Sequence, residues 1–267
     1  MIRIIRRSII FIQRFGWFQF FLSLWTHFCV GSFFPRKTLS SWFGNKAGIE
    51  IGGPSQIFEG TGLFPVYPLA ALIDNCNFNS STPWNKQLSP GSSFCFNKDK
   101  PSGYQFILDA SDLRDIPSEK YDFLISSHCL EHVANPIRAL KEWLRIIKPQ
   151  GMIALVLPHK ALTFDRKRPD TTLEHLIGDF ERDVSEADLT HLEETLTLHD
   201  IRLDPGLTSP LQLKERCSNN LETRYLHHHV FTEELCKALF EHLNIHILHI
   251  AVFFPYHLVI VGEKRPS

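Results

Sequence analysis

Residues 121–158 of the chain read YDFLISSHCLEHVANPIRALKEWLRIIKPQGMIALVLP. The short apolar runs at the two ends of this stretch, YDFLISS and MIALVLP, are typical of buried strands. The segment between them predicts a helix, because Asn135 can cap its first turn, Pro136 suits its first position and Lys-Pro-Gln-Gly at 148–151 ends it. The apolar side chains on one face of this helix are Ile137, Leu140, Trp143, Leu144 and Ile147. A helix with such a face is expected to cover a sheet.

Further apolar runs extend the alternation of strands and helices on both sides. AGIEIGG, at 47–53, predicts a first strand bounded by glycines. A second strand is expected to run into Asp74 and a third to stop at Asp109, while residues 75–103, rich in Asn, Ser, Pro and Gly, predict a loop or a hairpin-bearing insertion. IHILHIAVFF and HLVIVGEK predict two adjacent strands near the end. The sequence therefore predicts a doubly wound α/β fold with a mostly parallel, seven-stranded sheet and helices on both faces.

Composition narrows the function class. The chain has 267 residues, 43% of them hydrophobic, which is enough for one large α/β domain or two small ones. Its net charge is −1, so a general nucleic-acid binder is not expected. The six cysteines form no C-x-x-C pair, and a chain this long needs no disulfides, so reduced thiols in the cytoplasm are the simplest interpretation.

The amino-terminal segment, residues 1–45, differs from the rest. Residues 15–34 carry no formal charge, are rich in Trp and Phe, and follow four arginines. Three interpretations stay open: an amphipathic helix packed on the domain, an interfacial or membrane-anchoring helix, and a cleaved signal, which the lack of a small-x-small cleavage site disfavours. The remaining residues, 46–267, are expected to form one domain with a helical insertion at about 159–230.

Three carboxylates follow or end the first three predicted strands, namely Glu50, Asp74 and Asp109. His128 ends the fourth. In a parallel sheet, ligands bind beyond the carboxyl ends of the strands. Three unpaired carboxylates are poor core residues but good acceptors for hydroxyl and amine donors and for a positively charged centre. The sequence therefore predicts a ligand site at this edge of the sheet.

The order of these elements resembles that of class I S-adenosylmethionine-dependent methyltransferases, of the type 11 methyltransferase-domain kind. The matching segments are EIGG at 50–53, Asp74, DASDL at 109–113, SSHCLEHV at 126–133 and IKPQGMIALVLP at 147–158. The resemblance covers about residues 46–160. It implies a Rossmann-like methyltransferase fold, S-adenosyl-L-methionine as cofactor, and methyl transfer to an acceptor.

The resemblance also implies roles for the turn after the first strand. Gly52 and Gly53 would let the backbone approach the methionine part of the cofactor, since a Cβ there would collide with it. Glu50 would order the turn and face the cofactor's amino group. The family has further glycines where this chain has Pro54 and Gln56. This departure keeps a non-binding, catalytically inactive scaffold, or a membrane-associated interaction protein, as the alternative function.

At the other strand ends, the resemblance implies that Asp74 holds the ribose hydroxyls, that Asp109 binds the adenine amine, and that Ala110 lies beside the adenine ring. His128 would lie next to the cofactor. A hydroxyl or phenol acceptor would also need a base, and we expect His128 or His132 in this role because imidazole titrates near neutrality.

Two other activities are disfavoured. His128 to His132 fit H-x-x-E-H, an inverted zinc-protease motif, but that chemistry needs both histidines on one face of a continuous helix, and this pair sits in a short connection. No G-x-G-x-x-G opens a helix, which argues against a dinucleotide oxidoreductase. No metal site is expected, because the spacing of the 14 histidines matches no recognised one.

The insertion at 159–230 is expected to build the acceptor pocket. One histidine of HHH at 227–229 is predicted to reach that pocket. The acceptor is expected to be a small molecule, a glycan or a lipid-linked compound, with no nucleic acid involved. The localisation predicted for the protein is cytoplasmic, with peripheral membrane contact through residues 1–45 as an addition.

Overall fold

The computed structural model describes residues 34–82, 87–204, 206–253 and 256–266. The predictions for residues 1–33, which include the anchor, signal and amphipathic-helix alternatives, lie outside the described residues. Within the described ranges, no helix is long and apolar enough to cross a bilayer.

A single eight-stranded sheet forms the centre of the described chain. Its order is β3-β4-β2-β1-β5-β6-β8-β7, with parallel pairing from β4 to β6 and antiparallel pairing at both edges. The strands are β1 (Ala47–Ile51), β2 (Leu72–Asn77), β3 (Gly91–Phe94), β4 (Gly103–Ile107), β5 (Tyr121–Ser127), β6 (Ile147–Pro158), β7 (Ile245–Phe253) and β8 (His257–Lys264). The predicted doubly wound, mostly parallel sheet is confirmed. The eighth strand, β3, comes from the stretch predicted to be a loop or hairpin.

Helices cover both faces of the sheet. They are α1 (Arg36–Phe43), α2 (Pro136–Ile146), α3 (Leu173–Glu181), α4 (Leu192–Leu198), α5 (Pro210–Ser218), α6 (Asn220–Thr223) and α7 (Glu233–His242). Helix α2 begins as predicted, since the Asn135 side chain accepts a hydrogen bond from the Arg138 amide at 3.0 Å. Its fully buried Trp143 donates from Nε1 to the Ala110 carbonyl at 2.8 Å, which ties the helix to the loop after β4.

Alternation along β5 separates two apolar cores. Leu124 packs with α2 and α7 on one face, while Phe123 and Ile125 pack with α1 on the other. In α1, Leu39 and Phe43 are buried in this second core. Residues 36–43 therefore pack on the sheet.

The prediction that the second strand ends at Asp74 is wrong, because β2 continues to Asn77. The carboxylate of Asp74 accepts hydrogen bonds from the Tyr104 amide at 2.8 Å and from the Tyr121 hydroxyl at 2.7 Å, and it pairs with Lys120 at 3.1 Å. Tyr104 and Tyr121 stand at the amino-terminal ends of β4 and β5. Asp74 therefore faces the end of the sheet opposite the one where the ligand site was predicted.

The turn after β1 is fixed by its neighbours in β2. Gly52 has φ +88°, which favours glycine, and a Cβ there would lie 3.0 Å from the Cβ of Cys129. The Gly53 amide donates to Asn75 Oδ1 at 3.1 Å, and the Gly53 carbonyl accepts from the amides of Asn75 and Asn77 at 3.1 and 3.0 Å. The backbone of the turn thus has one conformation, set by two buried amide side chains.

The carboxyl group of Glu50 lies under this turn. It is fully buried, it accepts a hydrogen bond from the Tyr67 hydroxyl, and a Cβ at Gly53 would overlap it. Burial raises the pKa of Glu50 to about 7, although hydrogen bonds from Ser55 and Tyr67 oppose this. The native protein therefore keeps the Glu50 carboxyl protonated in a pH range where the unfolded chain releases that proton.

Glu50→Gln is predicted to remove this source of pH dependence. Because the folded pKa lies above the unfolded value of 4.5, the stability contributed by protonated Glu50 is full below pH 4.5 and is lost as pH rises through 7. The loss is at most about 3 kcal/mol. Urea unfolding at pH 5 and pH 8 should show a smaller drop in unfolding free energy for the variant than for the wild type. The exposed Glu241→Gln should behave as wild type, and equal drops in all three proteins would refute the assignment.

Candidate functional site

A cavity of about 1,010 Å³ opens at the carboxyl ends of β1, β2, β4 and β5, which is where ligands bind in a parallel sheet. Residues of the segment 159–230, predicted from the sequence to be an insertion and called the insertion below, also line it. From the sheet side it is lined by Gly52, Asn77, Asp109, Ala110, His128, Glu131 and His132, among others. From the insertion it is lined by Phe164, Glu186, Arg224, Tyr225 and His227, among others.

The structure brings most of the predicted site residues together. Those lining the cavity are Gly52, Asp109, Ala110, His128 and His132. Gly53 belongs to the turn that forms one wall, and the Glu50 carboxyl lies directly under it. Asp74 is not among the lining residues, and its carboxylate is engaged at the other end of the sheet.

Asp109 holds the loop after β4 in place. Its Oδ1 accepts hydrogen bonds from the amide of Ser111 at 2.8 Å and from the Ser111 hydroxyl at 2.7 Å. Its Oδ2 accepts from Arg224 at 2.8 Å. Asp109 is therefore both a cavity wall and a point of attachment for the insertion.

Arg224 joins the insertion to the sheet across the cavity. Besides Asp109, it pairs with Glu186 at 3.3 Å, and its guanidinium lies 5.4 Å from the centre of the Phe78 ring. Burial lowers the pKa of Arg224, but the Asp109 carboxylate opposes that shift. Glu186 in turn accepts from the Ala134 amide at 3.0 Å. The chain of contacts closes one side of the cavity.

The two predicted bases, His128 and His132, are poorly suited to take a proton at neutral pH. His128 Nε2 lies 2.9 Å from His257 Nδ1, and burial lowers the pKa of His128 to about 3, with His257 and His227 adding to the effect. Burial also holds the pKa of His132 well below its usual value. Its ring contacts that of His227 edge-on, with centres 4.4 Å apart.

His227 is the histidine of the HHH run that lines the cavity, as predicted for one of the three. Its Nδ1 lies 2.6 Å from Asp165 Oδ2. Burial lowers the pKa of His227, but Asp165 and then Glu131 raise it, and the net shift is upward. The pKa of Asp165 falls to about 2 because His227 and Arg168 outweigh its burial. Sequence reasoning did not find this pair, because the two residues lie 62 positions apart.

Arg168 completes the support of this pair. It is fully buried, and its guanidinium donates to Asp165 at 3.1 Å, to Glu194 at 2.7 Å and to the His227 carbonyl at 2.8 Å. A buried guanidinium is tolerated only when its donors are satisfied, which is the case here.

Glu131 is a second buried carboxyl on the cavity wall. Burial raises its pKa to about 7, neither carboxyl oxygen accepts a hydrogen bond from the described residues, and His128 Nδ1 lies 3.6 Å from Oε1. The residues from 128 to 132 follow the end of β5 and include a short 3-10 turn, Leu130–His132, rather than a continuous helix. This agrees with the exclusion of the inverted zinc-protease motif.

Two groups of side chains among the described residues present three metal-ligating atoms within 4.8 Å of one another. One group, Glu131, His132 and His227, belongs to the cavity wall. The other, His175, His191 and His229, lies within the insertion and contributes none of the residues that line the cavity.

Comparison with known proteins agrees with the fold and the segment order. Residues 88–155 match the family model described as a methyltransferase domain. No curated protein matches the chain. Its fold is that of a solved S-adenosylmethionine-dependent methyltransferase from Methanosarcina mazei, with a TM-score of 0.50, 17% identity, and coverage of 85% of this chain and 96% of that one.

Two further solved S-adenosylmethionine-dependent methyltransferases are similar at lower scores. The protein from Aquifex aeolicus has 10% identity and a TM-score of 0.45, over 88% of this chain and 92% of that one. The protein from Listeria monocytogenes, whose assignment is putative by its own description, has 13% identity and a TM-score of 0.46, over 90% and 98%. The family match over residues 88–155 and the fold shared with the Methanosarcina mazei protein agree with the resemblance to class I S-adenosylmethionine-dependent methyltransferases that the sequence predicts.

Proposed function

We propose that the cavity binds S-adenosylmethionine against the strand ends and an acceptor beneath the insertion, and that the acceptor is a small molecule, a glycan or a lipid-linked compound. The observation that carries this proposal is that one cavity of about 1,010 Å³ is lined both by the turn at Gly52 and by the insertion residues Tyr225 and His227. A methyl donor and an acceptor in one enclosure can meet without bulk water.

The residues at the strand ends fit the cofactor. Gly52 has no side chain, so the turn leaves room for the methionine part. Asp109 offers a carboxylate to the adenine, and Ala110 offers a small side chain beside it. The ribose contact differs from the one implied by the resemblance. Residues 72–82 contain one carboxylate, Asp74, which points away. The polar side chains that line the cavity there are those of Asn77, the last residue of β2, and Thr82 in the loop after it.

Bound S-adenosylmethionine supplies an activated methyl group on a sulfonium. The protein's part is then to orient the acceptor and to remove a proton where the acceptor needs it. His227 is the best-placed proton acceptor, because Asp165 fixes its Nδ1 and leaves Nε2 for a hydroxyl in the cavity. Arg224 keeps the insertion closed over the site through Asp109 and Glu186.

Asp109→Asn is predicted to weaken binding of S-adenosylmethionine by about 10- to 100-fold, since it replaces a charged hydrogen-bond acceptor and breaks the Arg224 pair. Isothermal titration calorimetry measures this directly. Asp74→Asn is the matched variant, and its dissociation constant should stay within about twofold of the wild type. A strong loss in folded Asp74→Asn together with no loss in Asp109→Asn would reverse the assignment of the two carboxylates.

His227→Gln is predicted to slow methyl transfer by about 100-fold or more while leaving the dissociation constant of S-adenosylmethionine unchanged. The assay follows labelled methyl from S-adenosylmethionine into separated small-molecule, glycan and lipid fractions. His246→Gln, on the exposed surface, is the control. Cofactor binding without transfer into any fraction by the wild type would favour the inactive-scaffold alternative. An unchanged rate in His227→Gln would exclude His227 as the proton acceptor.

A further inference from the structure

Three histidines from separate parts of the insertion meet away from the cavity. His175 lies in α3, His191 directly precedes α4, and His229 lies in the extended segment before α7. Their ring centres are 5.0, 5.7 and 5.8 Å apart in pairs, and their ring planes cross at 69°, 67° and 70°. One ring nitrogen of each histidine lies within 4.8 Å of one from each of the other two, which is close enough for a single cation to bind all three.

Hydrogen bonding alone does not satisfy this group. The Nε2 atoms of His175 and His191 lie 3.1 Å apart and can share one proton. The Nδ1 atom of His229 is buried and has no hydrogen-bond partner in the part of the chain that the structure describes, while its Nε2 lies 3.3 Å from the Ala134 carbonyl. A histidine that ligates a metal through one ring nitrogen typically donates the other N–H to such a carbonyl. A cation bound at Nδ1 would satisfy a nitrogen that has no partner among the described residues.

A carboxylate provides the charge that a divalent cation needs. Asp179 is nearly fully buried, and its Oδ2 lies 3.2 Å from His175 Nε2 and 3.8 Å from His229 Nε2. Its Oδ1 pairs with Arg182 at 2.7 Å, and its backbone carbonyl accepts from Asn135 at 3.2 Å. The carboxylate is thus held beside the three imidazoles from both sides.

We propose that His175, His191 and His229, with Asp179 beside them, form a zinc-class metal site in the insertion. Imidazole nitrogens with a carboxylate are ligands that Zn²⁺ prefers, and Ni²⁺, Co²⁺ and Cu²⁺ compete for such sites. The ligands come from segments separated by up to 54 residues and lie next to Ala134 and Asn135 at the start of α2. The cation fastens the insertion to the start of α2 and so to the sheet. The metal site does not depend on how the acceptor is bound.

The test begins with the wild-type chain, free of any histidine tag and stripped with a chelator. Titration with zinc sulfate by calorimetry should give one tight site. At a free Zn²⁺ concentration 100 times the dissociation constant, the melting temperature should rise by roughly 5 °C or more. X-ray absorption at the zinc edge should show nitrogen and oxygen ligands with the signature of several imidazoles. The absence of binding, or a sulfur-containing or imidazole-free ligand set, would overturn the proposal.

Variants then locate the cation. His191→Gln should weaken zinc binding by at least about 100-fold and abolish the rise in melting temperature. Glu131→Gln, which alters the other metal-capable group, and the surface variant His246→Gln should keep one tight site. Loss of zinc in Glu131→Gln with full retention in His191→Gln would place the cation at the cavity wall and overturn the proposal. If His191→Gln fails to fold, the Glu131→Gln titration and the wild-type absorption spectrum still decide.

Discussion

The turn that forms one wall of the cavity depends on the close contact between the Glu50 carboxyl group and Gly53. Gly53 can pass over Glu50 only because it has no Cβ, and the buried amides of Asn75 and Asn77 hold its backbone from the other side. Each of these polar groups is buried and would cost free energy if it had no hydrogen-bond partner. Hydrogen bonds between them, rather than apolar packing, therefore fix the turn. The preceding glycine, Gly52, lines the cavity with its backbone, since it has no side chain. The two positions where the chain departs from the family's glycine pattern lie after this turn.

Buried polar contacts also help to position the insertion, on a larger scale. Leu176 of the insertion is buried in the main apolar core, with Ile177 and Phe180 packed against it, and ion pairs add to this attachment nearer the cavity. Within the insertion, Arg168 binds Asp165, Glu194 and the carbonyl of His227 around one buried guanidinium. Arg224 pairs with Glu186, also in the insertion, and with Asp109 after β4, and the second pair attaches the insertion to the sheet. Buried ion pairs add little net stability, but removing one partner leaves a buried charge unpaired and is strongly destabilising. Such pairs therefore hold the two segments in one arrangement. Apolar packing and these ion pairs therefore both hold the insertion at the strand ends.

Local signals predicted most of the fold, and long-range pairing decided what they missed. Asn135 and Pro136 indicate the start of helix α2, and the lengths of the apolar runs predict strands of the sheet. The limit of β2 was missed because LIDNCN looks too polar to be a buried strand. Its asparagines are buried all the same, since they bond to the turn at Gly53 and to each other. Asp74 was misplaced for the same reason. A strand that runs three residues further puts that side chain at the opposite end of the sheet.

The three consecutive histidines at 227–229 show what spacing cannot reveal. His227 meets Asp165, His228 lies 3.1 Å from the Asn220 amide, and His229 faces the Ala134 carbonyl, so one short segment serves three separate environments. The segment is anchored by backbone hydrogen bonds, because the amide of His228 donates to the Glu131 carbonyl at 2.9 Å. Glu131 itself lines the cavity next to the end of β5. A displacement of this segment would therefore move the cavity wall together with the group of His175, His191 and His229. The shape of the cavity is thus coupled to the structure of the insertion.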